Sequence, residues 1–555
     1  MVLRAVILCL VLLNICDSLE AASVRPNIIV LLADDLGWND VSFHGSDQIP
    51  TPNLDALAYN GIIMNRHYVQ PLCTPTRSAL LTGRYPIHTS MQGMPIFPGE
   101  PNGLPLNFKL LPEYLRELGY RTHMVGKWHL GDFSPAYTPF RRGFDSYLGC
   151  YNGYTGYYDY IVQDTVDGVE YNGFDLWRND TPAWDLAGKY STDVFNNEAI
   201  RLIKSHDTQD PLFLYMAYTA VHGSNKGRYL EAPQARINSF KYIVDPNRRT
   251  FAAMVSKMDD SVGDIVDALR EQQMLDNTII LFFSDNGAAP VFNSAYPNWG
   301  SNFPLRGAKE TLWEGGVRSP SFIWSAQIQS TPRVSNQLIH VTDWLPTLYS
   351  AAGGNRFDLP GNLDGEDQWY PLLWNLPSNR DHALLNIDEK QRSAGIIANF
   401  KQISGDVNLW KLVVGTSSGG MYDSYYNDVR SALNPPYDIR KVLISKAYRA
   451  IASLITPANN AQSMINLRDE SVVLCSEIYG YVRIPNCNVH PCLFDVTHDP
   501  CERTDLAANN TAIVERLYNT LKALRKTLVP QSNKPQDFPA ADPARFNYTW
   551  TPWLP

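Results

Sequence analysis

Cys73-Thr74-Pro75-Thr76-Arg77-Ser78-Ala79-Leu80-Leu81-Thr82-Gly83-Arg84 is the stretch on which the reading of this chain turns. Pro75 fits the first turn of a helix, where a missing N–H leaves no bond unmade. Ser78 to Leu81 propagate a helix well, and Gly83 offers a stop. Cys73 is therefore expected just before a helix N-terminus, where aligned peptide dipoles favour negative charge, with Arg77 one turn in and able to point back. A lone cysteine in a secreted chain is ordinarily a disulfide half or a buried structural residue. What surrounds this one decides between those readings and a chemical one.

Working outward, several apolar runs end in polar groups. Asn27-Ile28-Ile29-Val30-Leu31-Leu32 suits a strand buried on both faces of a parallel sheet, and it delivers Ala33-Asp34-Asp35-Leu36-Gly37. Carboxylates at the carboxyl end of such a strand occupy the usual ligand position of open α/β sheets, although Asp also suits turns and helix caps. Tyr120 to Val125 gives a strand delivering Gly126-Lys127-Trp128-His129-Leu130-Gly131, with Lys127 and His129 on one side of an extended chain. Leu212 to Thr219 ends in Ala220-Val221-His222, and Thr278 to Phe283 delivers Ser284-Asp285-Asn286-Gly287. Between these runs, helices are expected at Thr51 to Asn60 (capped by Thr51), Leu110 to Leu118, Phe195 to Ser205, Phe251 to Leu275 as one helix or a pair, and within Leu338 to Leu348. Strands alternating with helices predict an α/β fold with a parallel sheet covered on both faces.

After Pro371 the texture changes. Ile396 to Phe400 and Trp410 to Val414 are strand-like and predict a smaller antiparallel sheet, and Ala512 to Lys526 predicts a terminal helix. A boundary near Asn379 divides a main domain, 23–378, from a smaller α+β domain, 379–555.

The delivered groups form a constellation. Asp34, Asp35, Asp285 and Asn286 offer hard oxygen ligands, which favour calcium or magnesium over zinc. Lys127, Lys309 and Arg77 could cradle a tetrahedral oxyanion. His129 and His222 supply proton-transfer groups, and Cys73 is the candidate nucleophile. Together they point to a hydrolase of sulfate or phosphate esters. Rival motifs are weaker. Gly415-Thr416-Ser417-Ser418-Gly419 matches a nucleophile elbow without a convincing following helix. Cys487, His490, Cys492 and His498 resemble a zinc set, but cysteine pairs in an oxidising compartment are more often disulfides. The tyrosines 151, 154, 157, 158 and 160 could stack on a sugar or simply pack a long loop.

Bulk properties set the compartment. Of 555 residues, 47 are Lys or Arg and 56 Asp or Glu, a net charge of −9 that disfavours a general nucleic-acid or membrane-surface role. The apolar run Ala5 to Val11, extended to Cys16 behind Arg4, reads as a signal peptide over 1–22 and is too short to span a membrane. Two of the 8 cysteines leave with it; of the rest, Cys475, Cys487, Cys492 and Cys501 could form two bridges, for instance Cys487–Cys492 with Cys475–Cys501, and Cys150 is left over. Asn179, Asn509 and Asn547 head glycosylation acceptors, so a secreted or lysosomal glycoprotein without stable membrane insertion is expected.

Cys73-Thr74-Pro75-Thr76-Arg77, Leu81-Thr82-Gly83-Arg84, Ala33 to Gly37, Gly126 to Gly131, His222, Ser284 to Gly287 and Lys309 together resemble the sulfatases, most clearly over Pro26 to Leu348. Leu312 to Arg318 and Asp343 to Thr347 resemble in particular the arylsulfatase B branch, the N-acetylgalactosamine-4-sulfatases and their relatives. The resemblance implies an alkaline-phosphatase-like sandwich and conversion of Cys73 to formylglycine by the formylglycine-generating enzyme, which reads Cys-x-Pro-x-Arg. It implies calcium held by Asp34, Asp35, Asp285 and Asn286 beside residue 73. The hydrated residue 73 would attack sulfur with Asp285 accepting its proton, Lys127, Lys309 and Arg77 would offset sulfuryl charge, His222 would protonate the leaving alcohol, and His129 would assist release of sulfate. The implied substrate is a sulfated carbohydrate, foremost 4-sulfated N-acetylgalactosamine. Small aryl or dietary sulfate esters are an alternative, as are a phosphoesterase and a catalytically silent sugar-binding relative. Members of the branch carry disulfide cysteines in the loop equivalent to Pro95–Pro105, where this chain has Gly99 and Gly103 and no cysteine.

Overall fold

A computed structural model describes residues 25–290, 296–401, 405–454, 460–475 and 485–555; the expected signal peptide lies outside them. Ten strands form one sheet, in the order Arg333–Ser335, Ile62–Met64, Ser321–Ser325, Thr278–Ser284, Asn27–Ala33, Leu212–Ala217, Arg121–Gly126, Ser146–Gly149, Trp177–Arg178 and Thr181–Pro182. The five from Thr278–Ser284 through Ser146–Gly149 run parallel. Their alternation divides the interior into two cores. Ile29 and Leu31 face one side with Ile280, Phe282, Leu214 and Met216, while Ile28, Val30 and Leu32 face the other with Ile279, Leu281 and Phe213. Each fully buried aliphatic side chain of this kind contributes about 2 kcal/mol, so the central strands anchor the fold.

Pro52–Ala58, Ser191–Lys204 and Pro246–Glu271 cover the first face; Cys73–Thr82, Leu111–Glu117 and Trp344–Ala351 cover the second. The long helix is a single element and starts earlier than its apolar pattern, because Asp245 caps it by accepting from the backbone N–H groups of Asn247 and Arg248 ahead of Pro246. The expected cap at Thr51 is not made. Thr51 Oγ1 donates to Asp55 instead, and Asp259 of the long helix accepts from Asn53 N and Leu54 N at 3.0 and 2.8 Å, capping the short helix from a neighbour.

His382–Asp388, Ser393–Lys401, Val407–Val414 and Cys492–Asp495 make the separate antiparallel sheet, backed by Thr511–Arg525. Disulfides join Cys475 to Cys501 and Cys487 to Cys492, and Cys150 is buried and unpaired. The helices Ile439–Leu443, Lys446–Leu454 and Ala461–Ser471 lie back on the main body, where Val442, Ala450, Ile451 and Met464 share a core with Leu54, Leu57 and Val255. Among the described residues no helix is long and apolar enough to cross a membrane.

A buried ion network ties the small sheet to the short helix Glu314–Val317. Lys411 Nζ lies 3.0 Å from Glu314 Oε1 and 2.9 Å from Glu502 Oε1, and Glu314 N donates to Glu502 Oε2 at 2.7 Å. Burial pushes Glu502 up to about 7, against Lys411 and with help from Glu314. Between its ordinary value and that one, the folded state holds a proton that the unfolded state has released. The contribution is therefore full below the ordinary value and is lost as pH rises through about 7. Glu502→Gln should flatten the fall of Tm between about pH 5 and 7.5, a slope worth at most about 1.4 kcal/mol per pH unit. A variant that keeps the wild-type slope in thermal melts would contradict this.

Candidate active site

The polar groups expected from the sequence meet at the carboxyl ends of the parallel strands. Cys73 is the first residue of its helix, not the residue before it; Leu72, in extended conformation, takes the flanking position. Gly83 ends the helix in left-handed conformation, φ 64°. At Gly126, φ is 107° and a Cβ would lie 1.8 Å from the carbonyl of Ala217, so only glycine lets the chain turn there and send Lys127 inward.

Arg77 holds the centre together. Its Nε and Nη2 donate to Asp285 Oδ2 at 3.1 and 2.8 Å, Nη1 donates to the Lys127 carbonyl at 2.8 Å, and Nη2 stands 3.7 Å from Asp34 Oδ1. Lys127 Nζ donates to Asp34 Oδ2 at 2.7 Å, and all four side chains are fully buried. Lys309 Nζ reaches Asp35 Oδ2 at 2.9 Å and His222 Nε2 at 3.0 Å. Since Lys309 is a donor, Nε2 of His222 accepts and Nδ1 carries the proton toward the Gly223 carbonyl. His129 pairs Nε2 with the Ile96 carbonyl at 3.0 Å, leaving a buried Nδ1 without a partner. Asp35 and His129 both adopt positive φ, 57° and 59°, a strain that persists where the surroundings hold the residue in place.

Cys73 Sγ lies 3.6 Å from Asp34 Oδ1 and 4.0 Å from Asp35 Oδ1. Asp285 acts on the thiol through its field: burial first and Asp285 second push the thiol well above its ordinary value. A thiolate is thus disfavoured where a nucleophile is wanted, which argues against cysteine as the working group. Burial raises Asp34 to about 7, against Lys127 and Arg77. Burial works on Asp285 too, but Arg77 and Lys127 outweigh it and hold its carboxyl below the usual range. Burial and then the neighbouring lysines keep both histidines neutral, with Lys309 foremost at His222 and Lys127 at His129.

Ligand atoms of Asp34, Asp35, Cys73 and His222 lie within 4.8 Å of one another. Asn286 donates through Nδ2 to Asp35 Oδ1 at 2.6 Å, while its Oδ1 is buried without a partner. An orphaned amide oxygen beside crowded carboxylates fits a hard divalent cation.

Three contributors carry no sequence signal. Thr76 Oγ1 donates to the Asp285 carbonyl at 2.6 Å, Asn298 Nδ2 donates to the carbonyls of Asp35 and Val221 at 2.8 and 3.0 Å, and the Ile96 carbonyl orients His129. Their roles depend on tertiary approach, which spacing does not encode. Of the rival motifs, Ser417–Gly420 forms one tight turn with no helix behind it, and Cys487 and Cys492 are spent in a disulfide. Tyr151, Tyr157 and Tyr160 are core residues, whereas Tyr154 reaches the site's mouth.

Sheet and site are those of an alkaline-phosphatase-like hydrolase. The Sulfatase family model matches residues 26–354. Mouse arylsulfatase J is 37% identical over 96% of this chain and 81% of its own length. Human N-acetylgalactosamine-6-sulfatase is 33% identical over 60% of this chain and 63% of its own. Among solved structures, Ps i-CgsB superposes with a TM-score of 0.68 at 25% identity, covering 95% of this chain and 99% of that one. The chain belongs to the sulfatase family, whose members hydrolyse sulfate esters and typically use formylglycine with a divalent metal.

Lys309→Ala should lower kcat/KM for an aryl sulfate by about 100-fold, the usual loss for one donor to a developing oxyanion, with the near-UV circular dichroism unchanged. A variant within threefold of wild type would leave Lys309 only a charge-balancing role.

Proposed function

We propose that this sulfatase removes the 4-sulfate from N-acetylgalactosamine residues of glycosaminoglycans, with formylglycine derived from Cys73 and a calcium ion. The observation that carries the chemistry is the placement of Cys73 Sγ at a helix start, within 4 Å of both Asp34 and Asp35, the carboxylates that Lys127, Arg77 and Lys309 engage. Asp34, Asp35, Asp285 and Asn286 would hold the calcium, which would draw electron density from a sulfuryl oxygen. The hydrated aldehyde of residue 73 supplies an oxygen nucleophile, with a second hydroxyl that permits later elimination of sulfate.

The chain's own side chains do the rest. Lys127, Lys309 and Arg77 bind and orient the sulfuryl oxygens. Asp285, pinned as a carboxylate by Arg77, accepts the nucleophile's proton. His222 would stand at the leaving alcohol with Nε2 accepting from the Lys309 ammonium, so a proton passed from Lys309 to Nε2 goes on to the departing alkoxide, leaving Lys309 neutral until solvent reprotonates it. The unpartnered Nδ1 of His129 takes the proton when sulfate is lost. Two disulfides, and acceptor asparagines exposed at 509 and 547, support a secretory route to the lysosome or outside the cell, with the formylglycine-generating enzyme met on the way. We assign a catalytic domain to 23–378 and a smaller one to 379–555, a reading supported by the two sheets lying on either side of that boundary.

The substrate is tested by sulfate release from matched oligosaccharides ending in 4-sulfated or 6-sulfated N-acetylgalactosamine. Release from the 4-sulfate alone supports the proposal, equal or preferential release from the 6-sulfate contradicts it, and Cys73→Ala should abolish both.

A further inference from the structure

We infer that the mouth of this site selects a ring that carries no charge besides the scissile sulfate and offers a flat apolar face, and that Glu310 is the residue that excludes a second anion on that ring. The inference rests on the sulfate-ester reading and goes on to the ring that bears the ester. A cleft opens above Cys73, His129, His222 and Lys309. Met94, Ile96, Phe97, Pro98, Tyr154 and Tyr296 line it. Tyr154 donates its hydroxyl to the Gln163 carbonyl at 2.6 Å, so its polar end is spent. Its ring lies 4.5 Å from that of Tyr296, which in turn is 6.0 Å from the His222 ring. Such a surface takes an aryl ring, or the C–H face of a neutral sugar, by stacking.

The stretch 94–99 is built in advance. Asp537 N donates to the Gly99 carbonyl at 2.8 Å, Gln536 Nε2 to that of Pro98 at 2.7 Å, and Asn533 Nδ2 to that of Met94 at 2.9 Å. The Phe538 ring fills the space where a Cβ on Gly99 would lie, at 2.8 Å. The tail thus braces the loop that has no cysteine to bridge it, and the mouth keeps its shape without substrate.

Charge is what the mouth withholds. Apart from Cys73 and the two histidines, the acidic and basic side chains lining it among the described residues are Lys309 and Glu310. The Lys309 ammonium is engaged below by Asp35 and His222. The Glu310 carboxylate accepts from Ser418 Oγ at 2.9 Å and makes no ion pair among the described residues. A carboxylate or second sulfate on the ring held in the mouth would therefore face a like charge and aromatic carbon, with no cation among the described lining residues free to receive it. Like-charge juxtaposition of this kind serves to reject wrong partners more than to tighten right ones.

The test compares 4-carbamoylphenyl sulfate with 4-carboxyphenyl sulfate, equal in size and different in charge, on the full-length matured enzyme. Wild type should favour the carbamoyl ester by at least about tenfold in kcat/KM, mostly through KM, and added salt should narrow the ratio. Glu310→Gln should narrow it as well, and Glu310→Asp should restore it. Equal turnover of the two esters by wild type, or a Glu310→Gln ratio unchanged from wild type, would overturn the inference alone. Turnover of neither would overturn the sulfate-ester reading and the inference with it.

Discussion

The Arg77 guanidinium is the interaction on which the rest depends. One planar group, fully buried, grips the Asp285 carboxylate twice, takes the Lys127 carbonyl and faces Asp34. Those partners come from the ends of three different strands, and Arg77 itself sits one turn into the helix that starts at Cys73. A single contact set therefore fixes the nucleophile's helix against the sheet and keeps ionised the Asp285 carboxylate that burial would otherwise protonate. Removing one member of a buried pair of this sort typically costs about 3–5 kcal/mol, because the charge left behind has no water to replace its partner.

That geometry explains why the centre was legible in the sequence. Parallel strands buried on both faces must be continuously apolar, so Asn27 to Leu32, Leu212 to Ala217 and Thr278 to Phe283 announce themselves, and the polar residues that follow each one can only lie at the sheet's carboxyl edge. Asp34, Asp35, His222 and Asp285 were found by that rule, and Lys127 by its place after the mixed strand Tyr120 to Val125. The Cys73 helix was legible from Pro75 and Gly83, to within one residue at its start.

What escaped the sequence shares one cause: it depends on which surfaces meet. Thr51 has the chemistry of a cap, but Asp259, distant in sequence, takes the N–H groups instead. The apolar faces of Ile439–Leu443 and Lys446–Leu454 could be read as apolar, yet nothing in them names Leu54 and Leu57 as neighbours. The bracing of residues 94–99 by the C-terminal tail is equally invisible, since backbone carbonyls do the accepting. Loops and tails set the rim of the site, and the rim is where members of one fold diverge in substrate.

The central claim is that Cys73 is a precursor whose thiol does not survive in the working enzyme. Its buried thiol is pushed away from ionisation, while the groups around it are arranged for an oxygen nucleophile beside a hard cation. The most direct test is mass spectrometry of the peptide spanning His67 to Arg77, from protein secreted by cells that contain the converting enzyme. The account predicts that residue 73 has lost its sulfur and carries the mass of the aldehyde or its hydrate. Unmodified cysteine in fully active protein would contradict it.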